Sequence, residues 1–387
     1  MRTLNLALQG GGSHGAFTWG VLDALLADPR IALEGLSGTS AGAVNAVALA
    51  SGYAKGLAAG ADPRQSARDS LARIWDQVAG WGSLGSLQQR FGSMLWGGLP
   101  PEFAPTNIWA NTMRGMFSPY HSNPMGINPL RHLLELEIDF EAIRRTPQLK
   151  VFVSATHVRT GRAVIFSGDR LDAAAVTASA CLPMLFQAVT IEGEDYWDGG
   201  YSVNPPLTPL IGHCTSPDIM LVQINPLRQD STPQQADHIV DRVNELTFNA
   251  SLLTQMRSID LINTLLAQGA LKRGHARQVL MHRIDGGEAM KQYPASTKSS
   301  TDAALIRSLF EIGRERTQHW LADHFEALGQ RTTVDIRRDY LDDTSIDTSI
   351  DTSIDTRIDT SLARPAGART KRSQPWLARL FKRARLL

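Results

Sequence analysis

The sequence has little cysteine and no long hydrophobic run. Its 387 residues include two cysteines, Cys181 and Cys214, and no Cys-x-x-Cys motif, so neither a disulfide framework nor a cysteine-rich zinc site is expected. The most apolar stretch, residues 41–54, has 14 residues, whereas a membrane-spanning helix needs about 18 or more. We therefore predict no transmembrane segment. Because free thiols fit a reducing compartment, we expect a cytoplasmic location.

The chain as a whole has almost no net charge, but its C-terminal segment is strongly basic. There are 39 Lys and Arg against 38 Asp and Glu, a net charge of +1, which gives no reason to expect nucleic acid as a partner of the whole molecule. Residues 364–387 nevertheless hold eight basic residues and no acidic one, whereas residues 1–363 hold 31 basic and 38 acidic residues. The tail is therefore electrostatically distinct from the rest.

Apolar, β-branched runs alternate with helical patterns through the first 285 residues. Strands are predicted at 4–9, 33–38, 149–155, 163–166, 188–191, 218–224 and 278–283. Helices are predicted at 15–27, 41–51, 66–78, 129–136, 171–180, 236–266 and 303–325. This alternation indicates an α/β fold in which helices cover both faces of a mostly parallel sheet.

The composition divides the chain into a main domain, residues 1–330, a linker, 331–363, and the basic tail, 364–387. Within the main domain, residues 80–126 are rich in Gly, Pro and aromatic residues and show little periodicity. Either this insertion packs as ordinary core, or it forms a lid that lines an apolar substrate groove. The linker contains a repeat of Asp-Thr-Ser-Ile from Asp343 onwards, which is typical of a low-complexity spacer.

The end of the tail has the pattern of an amphipathic helix. In residues 376–387, six apolar side chains fall within one arc when placed at 100° per residue, and none of the four basic residues enters it; the six are Trp376, Leu377, Leu380, Phe381, Ala384 and Leu387. Such a helix suits the interface of an anionic membrane, here the inner face of the cytoplasmic membrane. A solvated basic end and a local contact with nucleic acid are the alternatives.

A glycine cluster, Gly-Gly-Gly-Ser-His-Gly at residues 10–15, lies between a predicted strand and a predicted helix. It satisfies the dinucleotide pattern GxGxxG, but the acidic residue available for a ribose, Glu34, begins the second strand instead of ending it. A P-loop is excluded because Ala16 and Phe17 follow the last glycine where Lys and Ser or Thr are required. What remains is a backbone that can direct amide groups at an anion, including the oxyanion of acyl transfer.

A possible nucleophile follows in Gly-Thr-Ser-Ala-Gly, residues 38–42, which matches GxSxG. The motif stands where a predicted strand meets a helix of small residues, and this is the context that a nucleophile elbow requires. The helix that starts at Ala41 also directs the positive end of its dipole at the hydroxyl of Ser40. On its own the pattern is weak, and its alternative interpretation is coincidence.

No histidine stands in a convincing position to serve as the base for Ser40. His157 and His282 lie at or near predicted strands, and a structural role is the simpler interpretation for both. Instead, Asp198 is followed by a glycine pair, Gly199 and Gly200. In isolation, Asp-Gly-Gly indicates a turn, but its position after the first two motifs gives it a second interpretation.

Taken in order, these motifs resemble those of the patatin-like phospholipases, serine lipid acyl hydrolases that use a Ser–Asp dyad. The family has a G-G-G-x-[R/K]-G loop, a GxSxG elbow and an Asp-Gly-Gly or Asp-Gly-Ala turn, similar to residues 10–15, 38–42 and 198–200 here. Residues 178–183, Ala-Ser-Ala-Cys-Leu-Pro, resemble the Ala-Ser-x-x-x-Pro segment before the dyad aspartate. His14 departs from the pattern, and a neutral histidine would weaken any role of the usual cation in holding the loop or a phosphate.

The resemblance implies a patatin-like three-layer α/β/α sandwich with a mostly parallel central sheet, a nucleophile elbow and a low-complexity C-terminal extension. It further implies phospholipase A-type hydrolysis of fatty-acyl esters through an acyl-serine, with no metal and no organic cofactor. Ser40 and Asp198 would form the catalytic dyad. The other implied site residues are the oxyanion-hole amides of Gly10, Gly11, Gly12 and Ala41 and the supporting residues His14, Gly15, Gly38, Gly42, Gly199 and Gly200.

Three other functions stay open at this point. An intracellular polyester or acylglycerol esterase could use the same dyad on a different lipid ester. A catalytically idle, lipid-binding scaffold could keep the fold without the chemistry. A dehydrogenase that binds NAD is the least supported, because the acidic residue of the dinucleotide pattern is misplaced.

Overall fold

The strands of the described residues form one eight-stranded sheet. The computed structural model describes residues 1–95, 118–229, 231–272 and 276–341. The strands are β1 (Arg2–Leu8), β2 (Ile31–Thr39), β3 (Lys150–His157), β4 (Ala163–Phe166), β5 (Val189–Ile191), β6 (Glu194–Asp198), β7 (Asp218–Gln223) and β8 (Leu280–Asp285). Their order is β5-β6-β3-β2-β1-β7-β8, with β4 paired to β3. The run from β3 to β8 is parallel, whereas β4, β5 and β6 pair antiparallel.

The helices include all seven that the sequence predicts. They are α1 (Gly15–Ala27), α2 (Ala41–Ala58), α3 (Pro63–Leu95), α4 (Pro119–Ser122), α5 (Pro129–Glu137), α6 (Phe140–Arg144), α7 (Ala173–Ser179), α8 (Thr208–His213), α9 (Ala236–Ala267), α10 (Gly287–Lys291), α11 (Ala303–His324) and α12 (Ile336–Tyr340). The seven predicted strands are also present. The sequence patterns missed β6 and the short helices α4, α6, α8, α10 and α12.

Alternate side chains of the strands enter two different cores. Leu6 and Leu8 of β1 pack with α1, α2, α3 and α11 on one face, whereas Ala7 packs with α8, α9 and α12 on the other. In β7, Val222 belongs to the first core and Leu221 to the second. This two-residue period follows from the pleat of a strand. The result is the three-layer α/β/α sandwich, with a mostly parallel sheet, that the resemblance implies.

The structure changes two details of the predicted organisation. Helix α3 continues to Leu95, so the first part of the 80–126 insertion is helical; no proline occurs between Pro63 and Pro100 to interrupt the backbone hydrogen bonds. At the other end, Tyr340 is buried and its hydroxyl donates to Gln223 Oε1 at 2.8 Å, so the folded part reaches into the predicted linker. The Asp-Thr-Ser-Ile repeat and the basic tail lie outside the described residues, as does the 96–117 part of the insertion.

Within the described ranges, no helix combines the length and the hydropathy that a membrane crossing requires.

Candidate active site

Ser40 occupies a sharp turn between β2, which ends at Thr39, and α2, which begins at Ala41. Its backbone has φ 53° and ψ −122°, a conformation that non-glycine residues rarely adopt. The turn is fixed from outside, because the Ser40 amide donates to the Ser179 hydroxyl at 2.9 Å. Strain of this kind persists only where the surroundings enforce it, and it is common at active sites.

The glycines around Ser40 let the backbone segments of this turn approach closely. A Cβ on Gly38 would lie 2.5 Å from the carbonyl carbon of Gly42, and a Cβ on Gly42 would collide with the carbonyl oxygen of Leu8. A Cβ on Gly15 would lie 2.7 Å from the Cβ of Ala41, which packs the beginning of α1 against the beginning of α2. The supporting positions predicted from the motifs therefore have a steric cause.

Asp198 reaches Ser40 from the antiparallel side of the sheet. It ends β6, where it pairs with Ala155 of β3, and its amide donates to the carbonyl of Cys181 at 2.8 Å. Its carboxylate accepts the Gly200 amide at 2.7 Å, and the Ser40 side chain lies close enough to it to lower the pKa of Asp198. The structure thus brings the two residues of the implied dyad into contact.

The side chain of Asp198 lies in a dry environment. The residue is 2% exposed, and burial raises its pKa from 3.8 to about 7, against the opposing effects of the Gly200 amide and the Ser40 hydroxyl. Gly199 belongs to the same arrangement, because a Cβ there would collide with the carbonyl oxygen of Ser154 on β3. A carboxylate with such a pKa is a far better proton acceptor at neutral pH than an ordinary aspartate.

The glycine loop passes directly over Ser40. A Cβ on Gly10 would lie 2.9 Å from the Cβ of Ser40. The Gly10 amide donates to Oδ1 of Asn204 at 2.7 Å and is therefore already occupied. By contrast, the amides of Gly11, Gly12 and Ala41 have no hydrogen-bond acceptor in the part of the chain that the structure describes. Of the four amides predicted for the oxyanion hole, these three are available to a ligand.

His14 does not provide a cation to this loop. The residue is 2% exposed and its Nε2 hydrogen-bonds the Thr297 hydroxyl at 2.7 Å. Burial, assisted by the charge of Lys298, lowers the pKa of His14 to about 4. The imidazole is thus neutral at physiological pH, as its departure from the family pattern implies. The nearby cation is Lys298, which lies on a segment far away in sequence.

Glu34, the acidic residue of the dinucleotide pattern, and the histidines His157 and His282 all make contacts within the protein. The Glu34 carboxylate accepts hydrogen bonds from the amides of Thr215 and Ser216, so it is engaged within the protein. His282 is fully buried between Asp218 and Thr333. His157 hydrogen-bonds Glu194 and Thr160. None of these contacts involves Ser40 or Asp198.

Sequence reasoning missed three residues that hold the glycine loop. Asn204, Asn225 and Lys298 all contact it or its partners, yet the two asparagines belong to irregular segments and Lys298 to a short 3-10 helix, Ala295–Ser299, with no motif around them. The sequence signal that could have identified Asn225 is its position, as a polar residue two positions after the buried strand β7. Carboxyl ends of parallel strands meet at the edge where active sites form.

A strained serine, a buried carboxylate beside it and amides that have no acceptor among the described residues are the arrangement expected of an α/β serine hydrolase. The family model described as "Patatin-like phospholipase" matches residues 6–211, just over half of the chain. The chain therefore belongs to the patatin-like phospholipase family, which supports lipid acyl hydrolase activity in general.

Comparison with solved structures finds VipD from Legionella pneumophila, in a crystal structure, at 17% sequence identity and a TM-score of 0.41. The match covers 84% of this chain and 67% of that one. A comparison with curated proteins gives no match.

Proposed function

We propose that this protein hydrolyses fatty-acyl ester bonds of phospholipids or related lipids, in the manner of a phospholipase A, with Ser40 as nucleophile and Asp198 as base. The observation that carries the proposal is that the Ser40 side chain lies beside the Asp198 carboxylate and lowers its pKa, while that carboxylate is 2% exposed and burial raises its pKa to about 7. Ordinary surface aspartates have neither the contact nor the basicity.

The proposed reaction has two halves. In the first, Ser40 Oγ attacks the ester carbonyl carbon while its proton passes to Asp198. The resulting oxyanion accepts hydrogen bonds from the amides of Gly11, Gly12 and Ala41, and the positive end of α2 stabilises its charge. Collapse of this intermediate expels the alcohol, which takes the proton from Asp198 and leaves an acyl-serine. In the second half, water gives a proton to Asp198 and attacks the acyl carbon. The resulting intermediate collapses, which releases the fatty acid and returns the proton from Asp198 to Ser40 Oγ.

The two dyad residues can be tested against a matched control. Ser40→Ala and Asp198→Asn should each reduce the release of fatty acid from phosphatidylcholine vesicles by at least about 10³-fold. Asp195→Asn is the control, because this carboxylate is exposed and lies on the same strand, β6. Wild-type rates in either dyad variant would overturn the proposed mechanism.

Product analysis separates the proposed substrate class from its alternatives. Lysophospholipid and free fatty acid should accumulate from phosphatidylcholine faster than fatty acid from triacylglycerol or hydroxy acid from a polyester. The reverse order would favour the esterase. A fluorophosphonate that phosphonylates Ser40 in wild-type protein, but not in Ser40→Ala, is expected of an active enzyme and not of an idle scaffold.

The proposal extends to the membrane through the end of the basic tail, residues 376–387, which lies outside the described residues. Its support is the sequence pattern of an apolar arc with basic residues outside it. Full-length protein should float with anionic vesicles, and a variant ending at Ala363 should not. Equal flotation of the two would contradict this role of the tail.

A further inference from the structure

Two buried asparagines hold Gly10 from opposite ends of its backbone unit. Asn204 Oδ1 accepts the Gly10 amide at 2.7 Å, and Asn225 Nδ2 donates to the Gly10 carbonyl at 2.9 Å. Both asparagines are 0% exposed. Gln9 connects them, because its Nε2 donates to the Asn204 carbonyl at 3.5 Å and its Oε1 accepts the Asn225 amide at 2.9 Å.

The bond from Asn225 fixes the direction of the Gly11 amide. The peptide bond between Gly10 and Gly11 is trans, so its C=O and its N–H point in opposite directions within one plane. Since the carbonyl of Gly10 points at Asn225, the amide of Gly11 points away from Asn225. That amide is one of the three without an acceptor in the described ranges, and it belongs to the loop that covers Ser40.

Lys298 stands behind Asn225. Its Nζ donates to Asn225 Oδ1 at 2.9 Å, and its own carbonyl oxygen packs against Gly12. Burial lowers the pKa of Lys298, whereas the carboxylates of Glu245 and Asp241 favour its charged form. The ammonium also contributes to the low pKa of His14, so its charge acts directly at the glycine loop.

We propose that Lys298 is a positioning residue for the oxyanion donor at Gly11 and acts through Asn225. The chain of hydrogen bonds runs from the Lys298 ammonium to Asn225 Oδ1 and from Asn225 Nδ2 to the Gly10 carbonyl. Each donor in such a chain polarises the next one. The Gly10–Gly11 peptide is thereby held in one orientation and its N–H becomes a stronger donor. This role rests on the proposed function, because it matters only if negative charge develops in front of Gly11.

The proposal separates transition-state stabilisation from substrate binding. Lys298→Met should lower kcat for a medium-chain p-nitrophenyl ester about 10-fold, a fraction of the roughly 10²–10³ that the loss of a whole oxyanion donor costs. KM should change less than about 2-fold. Inhibition by a trifluoromethyl ketone, which forms a tetrahedral adduct on Ser40, should weaken by the same factor as kcat. Lys298→Arg keeps a cationic donor and should restore most of both.

Matched controls exist at the opposite side of the molecule. Lys150 is also partly buried and donates from Nζ to a backbone carbonyl, that of His213, at 2.7 Å. The side-chain amide of Asn263 bonds both backbone groups of one residue, because its Nδ2 donates to the Val279 carbonyl and its Oδ1 accepts the Val279 amide. Lys150→Met and Asn263→Ala should leave kcat and ketone inhibition within about 2-fold of wild type. Asn225→Ala, which removes the middle of the chain, should lower kcat at least as much as Lys298→Met.

Two outcomes would overturn the role of Lys298. One is unchanged kcat in Lys298→Met; the other is a loss that appears equally in KM and in the binding of a non-hydrolysable ether lipid. Ser40→Ala, measured in parallel, distinguishes these from a failure of the proposed function. Activity retained in Ser40→Ala would refute the hydrolase mechanism itself, whereas an inactive Ser40→Ala beside a fully active Lys298→Met would refute the positioning role alone. Since Lys298 is only half-buried, its variants test the proposal even if Asn225→Ala fails to fold.

Discussion

The amide of Ser40 donates a hydrogen bond to the hydroxyl of Ser179 at 2.9 Å, and Ser179 is completely buried. This bond joins the turn after β2 to the end of α7, two elements that are 139 residues apart in sequence. It satisfies a backbone donor at the position where the chain has φ 53°. Ser179 is therefore part of what holds the strained serine in place.

The first prediction concerns this bond. Ser179→Ala leaves the Ser40 amide without its acceptor, so the free energy of unfolding should fall by about 1–3 kcal/mol, and kcat should fall about 10-fold or more because the nucleophile is displaced. Urea unfolding and ester hydrolysis measure the two effects. Ser258→Ala, which removes an exposed hydroxyl bonded to the carbonyl of Thr254, should change neither.

The second prediction concerns the close approach of α2 to β1. Gly42→Ala would place a methyl group against the carbonyl oxygen of Leu8, which must push the helix away and cost about 1–3 kcal/mol or more. Thermal unfolding should show a lowered Tm, together with loss of activity. Gly212, in α8, is the control position, because no atom of the described structure lies within 4 Å of a Cβ added there. Gly212→Ala should keep or raise the Tm, and a larger loss there than at Gly42 would contradict this steric argument.

The third prediction is the pH dependence of activity. Asp198 accepts a proton only when it is ionised, and burial raises its pKa to about 7. We expect kcat/KM to increase with pH and to level off above an apparent pKa near 7. An increase with a midpoint near 4, the value of an ordinary aspartate, would show that Asp198 is not the limiting base.

The fourth prediction is the pH dependence of stability that the same residue causes. The pKa of Asp198 is higher in the folded state, about 7, than its ordinary value of 3.8, so the folded state holds a proton that the unfolded state releases. Stability is therefore lost as the pH rises from about 4 to 7, by up to about 4 kcal/mol. Asp198→Asn lacks this dependence. Its free energy of unfolding should rise relative to that of wild type between pH 4 and pH 8, and a constant difference would contradict the shift.

The fifth prediction has the opposite sign and concerns His14. Its pKa is lowered from 6.5 to about 4 by burial and by Lys298, so protonation favours the unfolded state. Stability is lost as the pH falls below 6.5, by about 2 kcal/mol at pH 5. His14→Gln removes this loss, which urea unfolding at pH 7.5 and pH 5 would detect. His319→Gln, at an exposed position, should keep the wild-type pH dependence.

Local sequence patterns were sufficient to predict the elements of the parallel part of the sheet. Strand β2, Ser40 and α2 are contiguous, so a strand, a turn and a helix of small residues predict the elbow directly. The partners of that elbow are not contiguous. Asp198 lies on β6, whose five residues, Glu-Asp-Tyr-Trp-Asp, are too polar to read as a strand; the strand exists because it pairs with β3.

The loop contacts were beyond sequence reasoning for a related reason. Asn225 donates to Gly10 across 215 positions, and Lys298 donates to Asn225 across 73. Neither residue is part of a periodic pattern, and a lysine outside a recognisable motif is normally a solvated surface residue. What singles them out is the placement of β7 next to β1, which local patterns do not reveal. The motif resemblance predicted the glycine loop but not what supports it.

The position of β7 sets a lower limit on the length of chain needed for a working enzyme. A protein shortened to the matched residues, 6–211, would keep all the motifs but lose β7, β8, Asn225 and Lys298. The edge of β1, which carries the glycine loop, would then have unpaired backbone groups and invite aggregation. The boundary of the family match, residue 211, is therefore unsuitable as a C-terminus for expression of this protein. A C-terminus beyond Tyr340 keeps these elements.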